Sequence, residues 1–390
     1  KMLKNYFDNV LIVGSGPVGI NLYINFNKGE EGMDNLIKMI EKLTNTFGAP
    51  GYEDEVIEVI KKELPFLSSE RDSINNLYMG LHEKEANTNR PTVALDCHTD
   101  EVGFIVENVN RNGSISFLTL GGWHVGNVPA SAVLIKNSRG EYVRGIVTSK
   151  PPHFMTDEER NRLPKMSELT IDIGTSSYEE TTEMYGIEVG NPIVPDVTFV
   201  YDEKIEIMRA KAFDNRLGCA ASIEVLKAVR DEKIENVNVV GAFASQEEVG
   251  LRGAQVAAYR VKPDFAIVFE GSPADDSFKE GTAAHGALKK GVQLRVVDGA
   301  MISNPRVLKF AKDIANKKGI KYQVIAREKG STNGGKYHIS ETGIPVLVLG
   351  IPTRYIHTHY SYASIDDLKS AISLAIEVIK ELNYDVIKGC

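Results

Sequence analysis

The sequence is poor in cysteine and has no long hydrophobic run. Its 390 residues include three cysteines, Cys97, Cys219 and Cys390, which are too few and too scattered for a disulfide framework or a cysteine metal site. Cys97 and Cys219 fall in apolar stretches, so we expect small buried side chains at both positions. No apolar run approaches the about 20 residues that a membrane-spanning helix needs. We therefore expect a cytoplasmic protein with no membrane partner.

Positive charge is also scarce. The 45 lysines and arginines are outnumbered by 53 acidic residues, which leaves a formal net charge of -8. The basic residues are dispersed and form no stripe, which argues against a nucleic-acid partner. What remains is an ordinary composition, 42% hydrophobic and 25% charged, in a chain long enough for a complete α/β core and a second domain.

The chain is organised around a β-branched apolar run, residues 236–244, that leads to Glu247 and Glu248. This pattern indicates a buried strand with acidic side chains at its carboxyl end. Three similar runs also lead to polar side chains, and one further acid lies in a turn; these side chains are His98, Glu270, His357 and Asp214. If the strands lie in one parallel sheet, their ends converge at the edge where open α/β sheets bind ligands.

Between residues 102 and 191 the pattern changes. Short alternating runs separated by glycine-containing turns are typical of a small β-barrel or sandwich. Helical and strand patterns alternate elsewhere, and the predicted helices are 33–43, 54–64, 217–230, 253–258, 305–318 and 365–382. Asp34 or Asn35 is the expected cap of the first helix. We therefore predict an α/β domain formed by residues 33–101 and 192–390, with a β domain inserted at 102–191.

Residues 1–32 contain the local form of a dinucleotide-binding turn. Gly14, Gly16 and Gly19 follow a strand-like run and give the pattern GxGxxG. A dinucleotide fold also needs a full helix, a second parallel strand and an acidic residue about 20 positions further on, but a polar, glycine-flanked segment follows here. We expect residues 1–32 to be a leader or fusion remnant, and a working nucleotide site is the alternative.

The side chains at the strand ends form a combination that binds divalent metals. One histidine with two carboxylates can hold a zinc ion, and one carboxylate can bridge two ions. The candidates then divide into His98 with Glu270 at one ion and Glu248 with His357 at the other, with Asp214 between them. Two ions about 3.5 to 4 Å apart would share a water molecule and lower its pKa.

Two further acids have separate predicted roles. Glu247 is the general base, which takes a proton from that water and passes it to the leaving amine. Asp100 is placed to accept a hydrogen bond from the free ring nitrogen of His98 and so to fix its tautomer. Taken singly, a histidine at a strand end is commonly structural, and two adjacent glutamates can begin a solvated helix. Five candidate ligands from separate segments favour the metal site.

The motifs also resemble a known family. They are residues 98–104 (HTDEVGF), 212–216 (AFDNR), 246–254 (QEEVGLRGA) and 354–358 (RYIHT). In this order they are similar to the tetrahedral-assembly metallo-aminopeptidases of metallopeptidase family forty-two, and the resemblance covers Met33 to about Tyr384. It implies a three-layer α/β fold, a mixed sheet with helices on both faces, and an inserted β-barrel or PDZ-like domain. It also implies a homo-oligomer, from a dimer to a hollow dodecamer built from dimers.

The resemblance implies the same site residues that the strand ends suggest. It assigns two divalent ions, zinc or cobalt, and mixed histidine and carboxylate sites also accept manganese. Two positions depart from the family. The position of Glu270 is often occupied by aspartate in family members, and Asn333 stands where many members carry aspartate. We expect the asparagine to alter the grip on substrate. Arg216 is expected to hold residues of the site in place rather than to contact substrate. His359 is a further candidate for contact with the site.

The predicted function is a metal-dependent aminopeptidase that acts on peptides with a free N-terminus. A related di-metal deacylase or amidase, which acts on N-acylated substrates, is the second hypothesis. A nucleotide-dependent oxidoreductase would instead rely on Gly14, Gly16 and Gly19. A glycosidase is disfavoured, because glycosidases generally use a carboxylate pair without metal-binding histidines.

Overall fold

The computed structural model describes residues 29–390. The motif at Gly14, Gly16 and Gly19, and with it the predictions for residues 1–28, lies outside the described residues. No helix between residues 29 and 390 combines the length and apolar character that crossing a bilayer requires.

The helices largely follow the apolar spacing of the sequence. They are α1 (Gly29–Asn45), α2 (Asp54–Glu63), α3 (Leu81–Glu85), α4 (Asp157–Arg160), α5 (Phe213–Asp231), α6 (Arg252–Val261), α7 (Pro305–Lys318), α8 (Gly334–His338), α9 (Ile365–Glu381) and α10 (Tyr384–Gly389). The bounds predicted for α7 are confirmed. Asn304 caps this helix by accepting the N–H of Arg306, and Gly319, in the left-handed conformation, follows its last residue.

The cap predicted for α1 is wrong. The helix already includes residues 29–33, so Asp34 and Asn35 lie inside it. One acidic residue near this end, Glu31, suits the positive end of the helix dipole. A glycine within a helix costs about 1 kcal/mol, which is too little to stop a helix whose later turns are buried.

The strands form one large sheet and one barrel. They are β1 (Ser69–Arg71), β2 (Leu77–Met79), β3 (Thr92–His98), β4 (Gly103–Val109), β5 (Ile115–Leu120), β6 (Ala132–Lys136), β7 (Tyr142–Val147), β8 (Ile171–Asp172), β9 (Pro192–Pro195), β10 (Val200–Asp202), β11 (Ile207–Ala210), β12 (Asn238–Ala244), β13 (Phe265–Ala274), β14 (Val292–Val297), β15 (Tyr322–Ala326), β16 (Val346–Arg354) and β17 (Ser361–Ser364). The sheet has the order β1-β2-β12-β3-β13-β16-β17-β11-β10, and β14 pairs with both β15 and β16.

The centre of the sheet is parallel. β12, β3, β13 and β16 are neighbours that run in the same direction, so their carboxyl ends lie at one edge. Within β3, Val93 and Leu95 point into a core formed with α1, α2, α5, α7 and α9, whereas Ala94 points into a second core with α3, α6 and α8. The fold class predicted from the sequence, a mixed sheet with helices on both faces and an inserted barrel, is confirmed.

In chain order, the barrel strands lie between β3 and β10 of the large sheet. Six strands close it in the order β4-β5-β8-β7-β6-β9, and its interior is filled by apolar side chains such as Phe104, Phe117 and Ile135. Because β4 begins at Gly103, the barrel follows directly after His98 in the chain. This connection brings one end of the barrel to the carboxyl edge of the parallel strands.

Candidate active site

The predicted site residues lie together at this carboxyl edge. His98 is the last residue of β3, and Glu247 and Glu248 occupy the turn after β12. Glu270 lies within β13, which is longer than the sequence pattern indicates, and His357 lies in the turn after β16. All of these elements belong to the parallel centre of the sheet, which explains why residues so distant in sequence meet.

Asp214 reaches the same point from the start of α5. Asp214 and Asn215 depart from helical backbone angles, and Asn215 donates its side-chain N–H to the carbonyl of Phe269 on β13 (2.8 Å). A Cβ atom on Gly271 would lie 2.5 Å from the Cα of Asp214. Only glycine therefore allows β13 to approach Asp214 so closely.

The first group of contacts is centred on His98. Its Nε2 lies 3.1 Å from Oδ1 of Asp214 and 3.3 Å from Oε1 of Glu270. Glu247 is slightly more distant, with Oε2 at 3.9 Å from the same nitrogen. Two carboxylates and one imidazole nitrogen thus enclose a small buried space.

The second group is centred on His357. Its Nε2 lies 3.5 Å from Oδ2 of Asp214 and 3.4 Å from Oε2 of Glu248. Asp214 therefore turns one oxygen to each histidine, and its carboxylate is shared by the two groups. Burial alone would raise the pKa of Asp214, but its hydrogen bonds with His357 and His98 outweigh burial and lower that pKa below the ordinary value.

Each histidine directs Nε2 to the cluster because its other nitrogen is engaged by the main chain. Nδ1 of His98 lies 3.1 Å from the carbonyl oxygen of Asp100, and Nδ1 of His357 lies 2.9 Å from the carbonyl oxygen of Gly122. With Nδ1–H as the donor in both rings, the Nε2 lone pair is available to a cation.

Asp100 contacts His98 chiefly through its main chain. Its carboxylate Oδ1 is 3.4 Å from Nδ1 of His98, further than its own carbonyl oxygen. The two carboxylate oxygens accept the main-chain N–H groups of Glu247 and Glu248, each at 3.0 Å. The Asp100 side chain therefore orients the two glutamates as well as facing the histidine.

Glu53 is a site-supporting residue that the sequence analysis missed. It is buried, and its Oε1 accepts the main-chain N–H of Gln246 at 3.1 Å and that of Gly51 at 2.7 Å. Burial, followed by the charge of Asp100, raises the pKa of Glu53 to about 7. The only local signal was an acidic residue after the Pro50-Gly51 turn, which is also common at an exposed helix start.

Burial determines the charge of the cluster. It raises the pKa of Glu247 and of Glu270 well above the ordinary value, and that of Glu248 to about 8. Burial would lower the pKa of His98, but the charge of Glu247 and the hydrogen bond to Asp100 raise it well above its usual range. The residues thus retain protons that a divalent cation would displace, because the cation stabilises ionised carboxylates and needs a neutral imidazole.

The donor set fits divalent cations. With metal bonds of about 2.0–2.2 Å, two ligand atoms of a tetrahedral site lie about 3.3–3.6 Å apart, close to the 3.1–3.5 Å measured around the two histidines. Ligand atoms of His98, Asp214 and Glu248 lie within 4.8 Å of one another, as do those of His98, Glu247 and Glu270. Within the described residues, Oε1 of Glu248 and Oε2 of Glu270 are buried without a hydrogen-bond partner, so both remain free for a ligand.

Three other predicted residues have different surroundings. Arg216 is fully buried and donates from Nε to the carbonyl of Thr99 (2.8 Å), which supports the segment after His98. Asn333 is buried and its Nδ2 donates to Asp96 (2.7 Å), and its predicted effect on the grip on substrate stays a prediction. His359 packs against Trp123, with ring centroids 5.4 Å apart, and is not among the clustered ligand atoms of the described residues.

Comparison with known proteins gives a consistent result. The family model described as M42 glutamyl aminopeptidase matches residues 79–374. The glutamyl aminopeptidase of Lactococcus lactis subsp. cremoris is 30% identical over 355 residues, which cover 90% of this chain and 98% of the relative.

Solved structures are similar over the same length. The TET aminopeptidase from the marine sediment archaeon Thaumarchaeota archaeon SCGC AB-539-E09 is 34% identical, with a TM-score of 0.86, and covers 91% of this chain and 99% of its own. The Pyrococcus horikoshii TET1 peptidase, described as able to assemble into a tetrahedron or a large octahedral shell, is 25% identical with a TM-score of 0.79. That alignment covers 89% of this chain and 100% of the peptidase.

Proposed function

This chain belongs to the M42 glutamyl aminopeptidase family, and on that premise we propose how its site removes N-terminal residues from peptides. The chain is a metal-dependent aminopeptidase, a hydrolase. The observation that carries the proposal is the carboxylate of Asp214, which turns one oxygen to His98 and the other to His357. A carboxylate shared in this way suits two cations held side by side.

We assign the ligands from the two groups of contacts. His98 and Glu270 would hold one ion, His357 and Glu248 would hold the other, and Asp214 would be shared by both. Zinc is the proposed metal, and cobalt and manganese are compatible with the same donors. When bound, the cations supply Lewis acidity to the scissile carbonyl and lower the pKa of a water molecule between them.

Glu247 is the proposed general base. Its Oε2 lies 3.9 Å from Nε2 of His98, further than the nearest oxygens of Asp214 and Glu270, so its carboxylate remains available to a water molecule. Asp100 fixes the backbone of Glu247 through the N–H at 3.0 Å, which orients the side chain. Glu247 accepts the proton of the attacking water and donates it to the nitrogen of the leaving amine.

The proposed substrates are peptides with a free N-terminus. The test combines metal analysis of the purified enzyme with a panel of aminoacyl p-nitroanilides and their N-acetylated counterparts. We expect two divalent ions per chain and hydrolysis of the free-amine substrates alone. Preferential hydrolysis of the N-acetylated set would contradict the proposal and favour the deacylase.

We also propose the predicted division into a catalytic domain (33–101 and 192–390) and an insert (102–191) that serves assembly, with β9 (Pro192–Pro195) assigned to the insert because it closes the barrel. Several apolar side chains of the insert are exposed, among them Phe154 by 73%, Leu163 by 58% and Ile146 by 56%, and exposed apolar surface commonly marks an interface. The tetrahedron and the octahedral shell described for the TET1 relative support a homo-oligomer, which we propose to range from a dimer to a dodecamer. Light scattering tests this: Phe154→Ser is expected to lower the oligomeric mass, and an unchanged mass for both Phe154→Ser and Leu163→Ser would contradict it.

The scarcity of cysteine supports a cytoplasmic location. Cys97 and Cys219 are free thiols with sulfur atoms 3.8 Å apart, an arrangement suited to a reducing compartment.

A further inference from the structure

A segment of the barrel reaches the second group of site residues. Gly121, Gly122 and Trp123 follow β5, and the carbonyl oxygen of Gly122 lies 2.9 Å from Nδ1 of His357. A Cβ atom on Gly121 would come within 3.3 Å of Cβ and Oε2 of Glu248. One short piece of the inserted β domain therefore touches both His357 and Glu248.

Trp123 anchors this segment between the barrel and the α/β domain. Its Nε1–H donates to the carbonyl of Gly103 (3.0 Å), and its ring stacks on Phe104 with centroids 4.7 Å apart. Its ring also lies 5.4 Å from that of His359, two residues after His357. Trp123 thus contacts the barrel core and the turn that carries His357.

The two histidines differ in what holds them. The His98 side chain is 1% exposed, and its Nδ1 contacts a carbonyl of its own chain segment. The His357 side chain is 37% exposed, so burial does not fix its ring, and the carbonyl that orients it belongs to the barrel. Hydrogen-bond partners of metal-binding histidines set ring orientation and tautomer, so the Gly122 contact decides where Nε2 of His357 points.

We infer that the barrel is a working part of the metal site, and that Gly122 and Trp123 are positioning residues for the ion held by His357 and Glu248. The inference rests on the proposed assignment of His357 as a ligand. The ion held by His98 and Glu270 needs only the α/β domain, whereas the other ion needs the barrel as well. Displacement of the barrel therefore weakens the binding of one ion and leaves the binding of the other unchanged.

Gly122→Ala tests this with a single methyl group. Gly122 has no left-handed φ, and the added Cβ would lie 3.1 Å from Nδ1 of His357, so the partly exposed ring must move by a few tenths of an ångström. Gly126→Ala is a matched control, because its Cβ would lie 3.1 Å from the ring of His124, in the same loop but with no contact to the cluster. Zn²⁺ is titrated into each metal-free full-length protein by calorimetry.

We expect Gly122→Ala to lower the affinity for one of the two Zn²⁺ ions by about 10- to 100-fold, the usual effect of losing a hydrogen-bond partner of a metal-binding histidine. Gly126→Ala should bind both ions like the wild type. Two wild-type affinities in Gly122→Ala would overturn the inference and leave the proposed function standing. If the wild type binds fewer than two ions, or if His357→Ala loses none, the ligand assignment itself fails.

Fluorescence gives a second readout, because Trp123 is the only tryptophan of the 390 residues. Filling the site of His357 and Glu248 should change its emission, and Trp123→Phe, which keeps a ring on Phe104 but loses the hydrogen bond to Gly103, should weaken Zn²⁺ binding at that site alone. Phe117→Leu loosens the same barrel core, because Phe117 packs on Phe104 with ring centroids 4.9 Å apart. Equal losses of Zn²⁺ affinity in both variants, at matched thermal stability, would show that Trp123 acts only through the barrel fold and would overturn its positioning role.

Discussion

The carboxylate of Glu53 accepts the main-chain N–H of Gln246 at 3.1 Å, although 193 positions separate the two residues. The N–H groups of the next two residues, Glu247 and Glu248, are accepted by Asp100. Three consecutive N–H groups after β12 are thus bound by two buried carboxylates. The turn that carries the proposed base and one proposed metal ligand is therefore held through its main chain.

Glu53→Ala should lower both stability and turnover. It leaves the N–H groups of Gln246 and Gly51 without their acceptor, and each buried unsatisfied group costs about 1–3 kcal/mol. A shift of the turn by about 1 Å can lower kcat by about 100-fold. The measurements are the free energy of unfolding and kcat, with Glu58→Ala, on the exposed face of α2, as the control. A kcat equal to that of the wild type would show that Glu53 does not position the base.

Glu247→Gln should abolish turnover while the enzyme keeps its metal. Loss of a general base typically lowers the rate by about 10²–10⁴-fold, and the amide has almost the size of the carboxylate. Metal analysis and hydrolysis of aminoacyl p-nitroanilides measure the two effects separately. Glu248→Gln provides the contrast, because it should lose metal as well as activity. Near wild-type hydrolysis by Glu247→Gln would rule out its assignment as base.

The local patterns of the sequence predicted the strands that carry the site, although β13 continues past Glu270 to Ala274. His98, Glu247 and Glu270 each follow or end an apolar run, and parallel strands necessarily bring such ends to one edge. The support from Glu53 and Gly122 could not be predicted, because it depends on how a turn and a barrel loop pack on the sheet, and no periodicity encodes that. In addition, Gly122 acts through its main-chain carbonyl, which every residue has, so its residue type does not indicate this role.

The partner of Asn333 could not be predicted for a related reason. Its position in a glycine-rich loop after a strand is equally compatible with a substrate contact and with a buried contact. The structure places it against Asp96, whose pKa burial raises to about 7 while Asn333 and Tyr337 both donate to it. Its partner is thus a strand residue two positions before His98, which only the assembled sheet reveals.

Removal of metal should inactivate and destabilise the enzyme. Without cations the site holds Asp214, Glu247, Glu248 and Glu270 in one buried cluster, and a ligand that binds only the folded state adds about 2.7 kcal/mol at 100 times its Kd. Dialysis against a chelator should lower the unfolding midpoint, and Zn²⁺, Co²⁺ or Mn²⁺ should restore it. His98→Ala should show a smaller metal-dependent shift. Full activity in protein shown to be free of metal would refute the metal requirement.

Asp367 predicts a pH dependence that is separate from the metal site. It is buried at the start of α9, accepts the N–H groups of Lys289 and Gly291 at 2.7 Å each, and burial raises its pKa to about 7. An unfolded aspartate has a pKa of about 3.9, so between these values the folded state binds the proton more tightly. The stabilisation is therefore complete below about pH 4 and is lost as the pH rises through about 7, by at most about 1.4 kcal/mol per pH unit.

Denaturant unfolding of metal-free protein at pH 5 and pH 8 should show a larger fall in stability for the wild type than for Asp367→Asn. The exposed Asp313→Asn should follow the wild type, and parallel profiles for the wild type and Asp367→Asn would mean that Asp367 stays ionised throughout.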